Sequence, residues 1–584
     1  MTAPNFAERW RLLRLTARRG GRGRGTPPAP GLGWTLPVPP VEEFLFVPSD
    51  LRTPDPGVAG EFRLGRLGFG GEVVHIHRQS PFQVTGASAA WLDQLHGFSW
   101  LRDLAASEGP EALEQARQLT ADWLALCGRP QAARRTPAWT PEVLGRRIIS
   151  WMSHSGFLLD GSDAKFFRAV TSSLGTQLRA LAATWRNARP GLPQLQCLVA
   201  LLLADLTIAG RDKALERDEA LLLAEIGHQI LADGGHISRN SDAVLDLALD
   251  LLPLRRCYTA REVEPPAALV DAVGRMLGFL QTMRLGDGTL ARFNGVGASR
   301  SDLLATLMTF DTRDGPLPSE LPGSGYVRME RGKTVLLMDC GAAPALELAG
   351  RAQAGCLAFE MSDGTRALLI NGGYPGPGRQ SDRPNARATA SHNTLTVNAQ
   401  SSARFVTSPA ITRLCGDAAL AGPGLVTCRF MQLNGELDPE INGELNGAHA
   451  FEATHDGYEA TNQLIHRRRL ELSPDGTRLE GQDRLGPRHG VLRLGRDVPF
   501  AIHFHLAPGV TPEIEATART NCVRLAVPGL PGWRLTATGA ELVIEASPRY
   551  DTAGPSLARQ VVLRGSCAGE ATVEWTLERL PALE

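Results

Sequence analysis

GYVRMERGKTVLLMDCG (325–341) and GCLAFEMSDGTRALLINGG (355–373) decide the fold. Apolar and polar residues alternate along both, the period of a strand with one face buried. The same alternation returns in SHNTLTVNAQSSARF (391–405), NQLIHRRRLELSPDGTRLEGQDRL (462–485), FAIHFHLAPGV (500–510), CVRLAVPGLPGWRLTATGAELVIEA (522–546) and RQVVLRGSCAGEATVEWTLERL (559–580). Asp363-Gly364 and Asp475-Gly476 supply hairpin turns between them. Many strands with no intervening helices predict an antiparallel β-sandwich.

Upstream of Gly286 the period is helical. AAWLDQLHGFSWLRDLAA (89–106), EALEQARQLTADWLALCG (111–128), PEVLGRRIISWMSHSGFLL (141–159), SDAKFFRAVTSSLGTQLRALAATWRN (162–187), ERDEALLLAEIGHQILADGG (216–235), NSDAVLDLALDLLPLRR (240–256) and PAALVDAVGRMLGFLQTMR (266–284) repeat apolar residues at three- and four-residue steps. LQCLVALLLADL (195–206) is long enough for a buried helix but too short to span a bilayer. Seven or eight helices on short loops predict antiparallel pairs curving into an incomplete toroid. The expected organisation is a basic arm with lead-in strands over 1–84, an α/α toroid over 85–310 and a sandwich over 320–584.

With 584 residues the chain needs more than one core. Its 61 basic and 62 acidic residues nearly cancel, so no global field draws it to nucleic acid or lipid. The nine cysteines are odd in number and dispersed, which argues against a disulfide framework and a structural zinc knot. MTAPNFAERWRLLRLTARRGGRGRG (1–25) is basic without the apolar centre of a secretory signal, and reads as a solvated arm. That absence points to the cytoplasm, with the periplasm or envelope as the alternative. His75 and His77 alternate with apolar residues as on a half-buried strand. His503 and His505 read as one polar sheet face, and the run His466 to Arg469 as a solvated or cleft-lining strand.

GGHISRNSDAVLDLALDLLPLRR (234–256), GDGTLARFNG (286–295), the strand run from GYVRMERG to RATASHNTL (387–395), ATHDGY (453–458) and LIHRRRLELSPDG (464–476) occur in one order. This series resembles the heparinase II/III-like proteins, over most of residues 88–500. The resemblance implies a polysaccharide lyase that acts on a uronate-containing, acidic glycan by β-elimination. The chemistry asks for a group that neutralises the uronate carboxylate, a base for the adjacent proton, and an acid for the leaving oxygen.

On this resemblance His236 is the base or neutraliser, Arg239 a bidentate carboxylate clamp, and Asn240 and Asn294 substrate contacts. Asn240 or Ser241 would also serve as a helix cap, with Arg239 then merely solvated. His392 matches the family histidine that often binds a structural zinc. The other expected ligands are replaced: Arg351-Ala352-Gln353 stands for His-Ala-His, and Asn371-Gly372-Gly373 for Asp-Pro-Gly. Neutral amides are poor zinc ligands, so no cofactor is expected, and Arg351 takes the neutralising position. No tyrosine lies between Tyr258 and Tyr326, where the family carries its catalytic acid, and Phe293 cannot move a proton. Tyr374 is the tyrosine best placed to reach the cleft; without a tyrosine acid, the catalytic work of both base and acid falls to His236 or His392. The expected partner is an acidic polysaccharide or oligosaccharide. The alternative is a catalytically inactive, glycan-binding relative that lost the tyrosine and the zinc ligands. A glycoside hydrolase is the third reading, and it lacks an opposed carboxylate pair.

Overall fold

The computed structural model describes residues 6–18, 40–77, 79–129, 136–313, 315–406, 412, 419–431, 450–490, 497–515, 521–551 and 554–581. Helices come first: α1 (Phe6–Arg18), α2 (Gly57–Arg63), α3 (Ala89–Gly97), α4 (Leu101–Ala105), α5 (Pro110–Leu126), α6 (Pro141–Ser153), α7 (Ser155–Leu159), α8 (Ala164–Thr184), α9 (Leu192–Thr207), α10 (Asp212–Gln229), α11 (Ser241–Ala260), α12 (Ala267–Thr282) and α13 (Ser301–Met308). Within the arm expected to be solvated, residues 6–18 form α1. A hairpin of β1 (Arg66–Phe69) and β2 (Glu72–His75) leads into the toroid and leaves His75 and His77 exposed.

Helix α9 holds the apolar run and is buried along nearly its whole length, packed between α6, α10 and α11. It is a core helix of the toroid. No helix among the described residues is long and apolar enough to cross a membrane. Helix α11 carries Asp242, Asp246 and Asp250 at four-residue steps, on one face. Arg300 lies 3.4 and 2.7 Å from the first two, and Arg52 and Arg146 lie 2.8 and 3.0 Å from Asp250. These pairs tie the lead-in segment, α6 and the stretch before α13 to one helix.

The strands follow: β3 (Glu320–Leu321), β4 (Tyr326–Arg331), β5 (Thr334–Asp339), β6 (Phe359–Asp363), β7 (Arg366–Leu369), β8 (Leu395–Val397), β9 (Arg404–Phe405), β10 (Ala419–Ala421), β11 (Val426–Met431), β12 (Ala450–His455), β13 (Ile465–Leu472), β14 (Arg478–Gly486), β15 (Val498–His505), β16 (Thr511–Ile514), β17 (Asn521–Ala526), β18 (Trp533–Thr538), β19 (Glu541–Asp551), β20 (Gly554–Cys567) and β21 (Ala571–Arg579). One wall is an eight-stranded sheet in the order β11-β12-β13-β14-β21-β18-β17-β16. The other joins the five strands β3 to β7 to the four strands β19-β20-β15-β8 through a Leu369–Leu506 bridge. Among the described residues, the strand pairings within these sheets are antiparallel, as alternation with hairpin turns predicts.

Between the walls Trp575 stacks on Phe359 at 5.7 Å and meets the edge of Phe504 at 5.0 Å. A Cβ at Gly481 would sit 2.1 Å from the Trp575 ring, so only glycine lets the indole lie flat on β14. The basic run of β13 differs from expectation. His466 and Arg468 are fully buried, because a strand sends every second side chain inward. Arg468 donates to Asp483 at 2.8 and 3.1 Å and to the carbonyls of Leu357 and Asn393. His466 contacts the same carboxylate at 2.6 Å, and Trp575 Nε1 donates to it at 2.9 Å. His503 and His505 likewise face inward; their Nδ1 atoms meet Gln560 at 3.2 Å and Ser547 at 2.6 Å.

Candidate functional site

The loop from α10 to α11 enters the junction with the sandwich. Gly234 there has φ +85° and lies against the Arg275 carbonyl, a fit that only glycine makes. His236 follows and is buried. Its Nε2 meets the Gln229 carbonyl oxygen at 3.1 Å, while the Gln229 amide donates to Glu225. That leaves Nε2 as the protonated nitrogen. Nδ1 then accepts from the Ser238 backbone N–H at 3.1 Å and contacts the Ser238 hydroxyl at 2.7 Å. Burial pushes the imidazole down to about 4, so it is neutral near pH 7. Leu348 and the His236 ring both lie against Gly191. A base needs an open lone pair, and that of His236 is occupied. The catalytic role expected for it is therefore corrected to a loop-fixing one.

Arg239 stands at φ +60° and sends its guanidinium into the sandwich. Nε donates to the Ser324 carbonyl at 2.7 Å, and Nη1 to those of Gly341 and Ala342 at 3.1 and 3.0 Å. Nη2 donates to Gly325 at 3.2 Å and to the Asp339 carboxylate. All five N–H groups are thus used. The Tyr326 ring lies 4.9 Å beneath. Burial alone would drive the guanidinium toward neutrality; Asp339 outweighs it and holds the charge. The expected carboxylate clamp exists, but the carboxylate is the protein's own.

Asn294 completes this knot, its Nδ2 donating to the Tyr326 hydroxyl at 2.9 Å and to Asp339 at 3.0 Å. Asn240 caps α11, its Oδ1 accepting from Asp242 N at 2.8 Å and Ala243 N at 3.3 Å. The substrate contacts expected of both are corrected to internal ones. Tyr326 and Asp339 are the partners that sequence reasoning missed. Each is one polar residue ending a strand pattern, and nothing local marks it as the mate of a loop about a hundred residues away.

Gln353 bridges the two domains: its Oε1 accepts from Gly295 N at 2.9 Å, and its Nε2 donates to the carbonyls of Gly373 and Ala386. Asn371 Oδ1 accepts from Asn393 N at 2.8 Å. His392 Nδ1 meets the Ala388 carbonyl at 2.8 Å, so Nε2 carries the lone pair, and it has no hydrogen-bond partner. Burial holds this imidazole too at about 4. One free imidazole nitrogen beside two engaged amides does not fit tetrahedral zinc. Among the described residues no three His, Cys, Asp or Glu side chains are grouped to hold a metal.

Arg351 and Tyr374 are different. Arg351 is exposed, and its guanidinium lies 5.9 Å from the Tyr374 ring. The Tyr374 hydroxyl is buried and has no hydrogen-bond partner among the described residues. Arg351 packs against Gly295, as does Asn240. The structure therefore brings Arg239, Asn240, Asn294 and Arg351 around one junction, sets Tyr374 beside Arg351, and keeps His236 buried within its own loop.

Residues 313–576 match the heparinase II/III-like C-terminal family. The sandwich therefore carries the heparinase II/III-like C-terminal domain. The fold of the whole chain is that of heparinase III, at a TM-score of 0.69 and 13% identity over 98% of this chain and 90% of that one. Heparan sulfate lyase HepC from Pedobacter heparinus superposes at 0.58, with 16% identity over 99% and 89%. A sequence relative along nearly its whole length is FtsZ-localized protein C from Caulobacter vibrioides, 28% identical over 93% of this chain and 92% of that protein. The helical toroid and C-terminal β-sandwich read from the sequence are the shared architecture.

Proposed function

We propose that this heparinase II/III-like chain binds an acidic polysaccharide without cleaving it. The observation that carries the reading is the closed state of His236 and Arg239. Elimination needs a base with an open lone pair and a cation free to meet the uronate. Here His236 is capped on both nitrogens, Arg239 is neutralised by Asp339, and His392, whose Nε2 lone pair is open, is buried at 1% exposure, out of reach of a polymer. Arg351, beside the unpartnered Tyr374 hydroxyl, keeps the capacity to meet a carboxylate and a sugar hydroxyl at the sandwich rim. The test incubates the full chain with a panel of uronate polysaccharides and follows the ultraviolet absorbance of the unsaturated product, with binding measured in parallel. Binding without new absorbance supports the reading. Time-dependent absorbance that survives purification would overturn it.

A second reading comes from the end-to-end match to the Caulobacter protein named for its localisation with FtsZ. The toroid-plus-sandwich would then serve as a division-site component, its glycan surface directed at envelope material. A fluorescent fusion of the full chain that follows the FtsZ ring would support this. A fusion with no enrichment at the ring would remove it.

A further inference from the structure

The cysteines are scattered along the sequence, yet the fold brings two of them together from opposite walls of the sandwich. Cys340 directly follows β5, in the wall that β3 to β7 begin, and is buried. Cys428 lies in the middle of β11, the outermost strand of the eight-stranded wall among the described residues. Along β11, the half-buried Val426, Cys428 and Phe430 alternate with the exposed Thr427 and Arg429. Phe430 meets the fully buried Phe451 at 6.0 Å, so this face of the strand looks inward. The turn before β11 packs beside Cys340 as well, since a Cβ on Gly422 would stand 2.8 Å from that of Ala343. The Cys428 thiol is the strongest influence on that of Cys340, which makes the two sulfurs neighbours. That thiol and burial together hold the Cys340 thiol well above its ordinary range. Both residues carry free thiols.

We propose that Cys340 and Cys428 are a peroxide-oxidised pair, which closes into a reversible disulfide across the two walls of the sandwich. Cys428 is half-buried on an outer strand, so a small peroxide meets it first. Its thiolate sulfur attacks one peroxide oxygen, the O–O bond breaks, and a sulfenic acid forms while the other oxygen leaves as water. The Cys340 sulfur then attacks the sulfenic sulfur, and its proton departs with the displaced hydroxyl as a second water. The two sulfurs lose two electrons, and hydrogen peroxide gains them. A thiol held protonated suits this second step, because the first requires a thiolate. Cys356 also stands near, but it is buried and its Sγ lies 3.9 Å from the Gly341 carbonyl oxygen. Cys340 adjoins Asp339, Gly341 and Ala342, all of which hold Arg239. The bridge therefore ties the outer strand to the segment on which toroid and sandwich meet. The inference is independent of glycan binding.

The reduced full-length chain is treated with hydrogen peroxide, its remaining thiols are alkylated, and its peptides are mapped by mass spectrometry without reduction. A Cys340–Cys428 linked peptide is expected, lighter by two hydrogens than its parts, and dithiothreitol should release it. Hydrogen exchange at the amides of Val426–Met431 should slow on oxidation and recover on reduction, because the bridge suppresses local opening. The urea midpoint should rise with it, since the unfolded chain is constrained. Cys428→Ser should abolish the link and the slowing, whereas Cys356→Ser should leave both in place. Cys340→Ser alters a buried position; should it fold poorly, the peptide map of the wild type decides. No link, either sulfur bridged to another cysteine, or Cys428 driven to sulfinic acid while Cys340 stays alkylated would overturn the inference. So would a Cys340–Cys428 link that leaves exchange in β11 unchanged.

Discussion

Arg351 and Asn240, the neighbour of Arg239 in the chain, both meet Gly295, and the same resemblance assigned the two arginines the same ligand. Their surroundings divide them. Arg239 finds four backbone carbonyls and the Asp339 carboxylate within the protein. Arg351 is exposed, with an aromatic ring beside it. Whether an arginine serves the fold or a ligand depends on how many of its five donors the protein leaves open.

The comparison breaks first at Arg239. Arg239→Ala strands the buried Asp339 carboxylate and the carbonyls of Gly325 and Ser324. Removing one partner of a buried pair costs about 3–5 kcal/mol. Denaturant unfolding should show that loss, and Arg239→Ala/Asp339→Ala should recover part of it, because no lone charge remains. A single variant as stable as wild type would mean that Arg239 is not a lock.

The fold was legible because period is local. The switch from three-and-four spacing to alternation near Gly286 needs no knowledge of partners. The roles of charged side chains were not legible, since they depend on pairing across long separations. Arg468 faces Asp483 in the β13–β14 register, and once that register is known, alternation makes the burial of His466 and Arg468 follow. From the sequence alone the basic run reads as a solvated face. Asn240 was readable, because a cap acts on the next three residues. Helix α1 was masked by the surrounding arginine and glycine, which read as a solvated arm.

Arg351 supplies the opposite expectation. Arg351→Ala should cost no more than about 1 kcal/mol, because the side chain is exposed and only its charge reaches the Asp242 carboxylate. Its cost to binding of an oligouronate should be about 1.5–3 kcal/mol, the range for hydrogen bonds to charged groups. Arg351→Lys should restore only part, since the planar fork is lost. Titration of an oligouronate and its neutral counterpart against each variant checks both. An unfolding defect with unchanged affinity would exchange the roles of the two arginines.

The histidines sharpen the contrast through pH. His236 and His392 are both held at about 4 in the fold, against an ordinary 6.5. Between those values the unfolded chain binds protons that the folded chain refuses. Their contribution to stability is therefore complete above 6.5 and is lost as pH falls through that window. Urea midpoints at neutral pH and near the middle of the window should differ, and His236→Gln should reduce the difference. The same slope in variant and wild type would place the His236 ring in water.

Tyr374→Phe gives the smallest effect and the finest distinction, because its two consequences have opposite signs. The ring is buried, and its hydroxyl meets no donor or acceptor among the described residues. An unmet buried polar group costs about 1–3 kcal/mol. Replacing it with hydrogen should leave the free protein as stable as before, or more stable by up to about 1 kcal/mol. A sugar hydroxyl arriving beside Arg351 would satisfy that oxygen, so the same change should weaken glycan binding by about 0.5–1.5 kcal/mol. A merely structural tyrosine would lose stability and leave affinity alone. If Tyr374→Phe destabilises the free protein, the hydroxyl has an internal partner and the rim is as closed as the Arg239 knot. If it stabilises without touching affinity, Arg351 recognises the carboxylate alone. Stability gained and affinity lost in one variant would mark the Tyr374 oxygen as a group held open for a ligand.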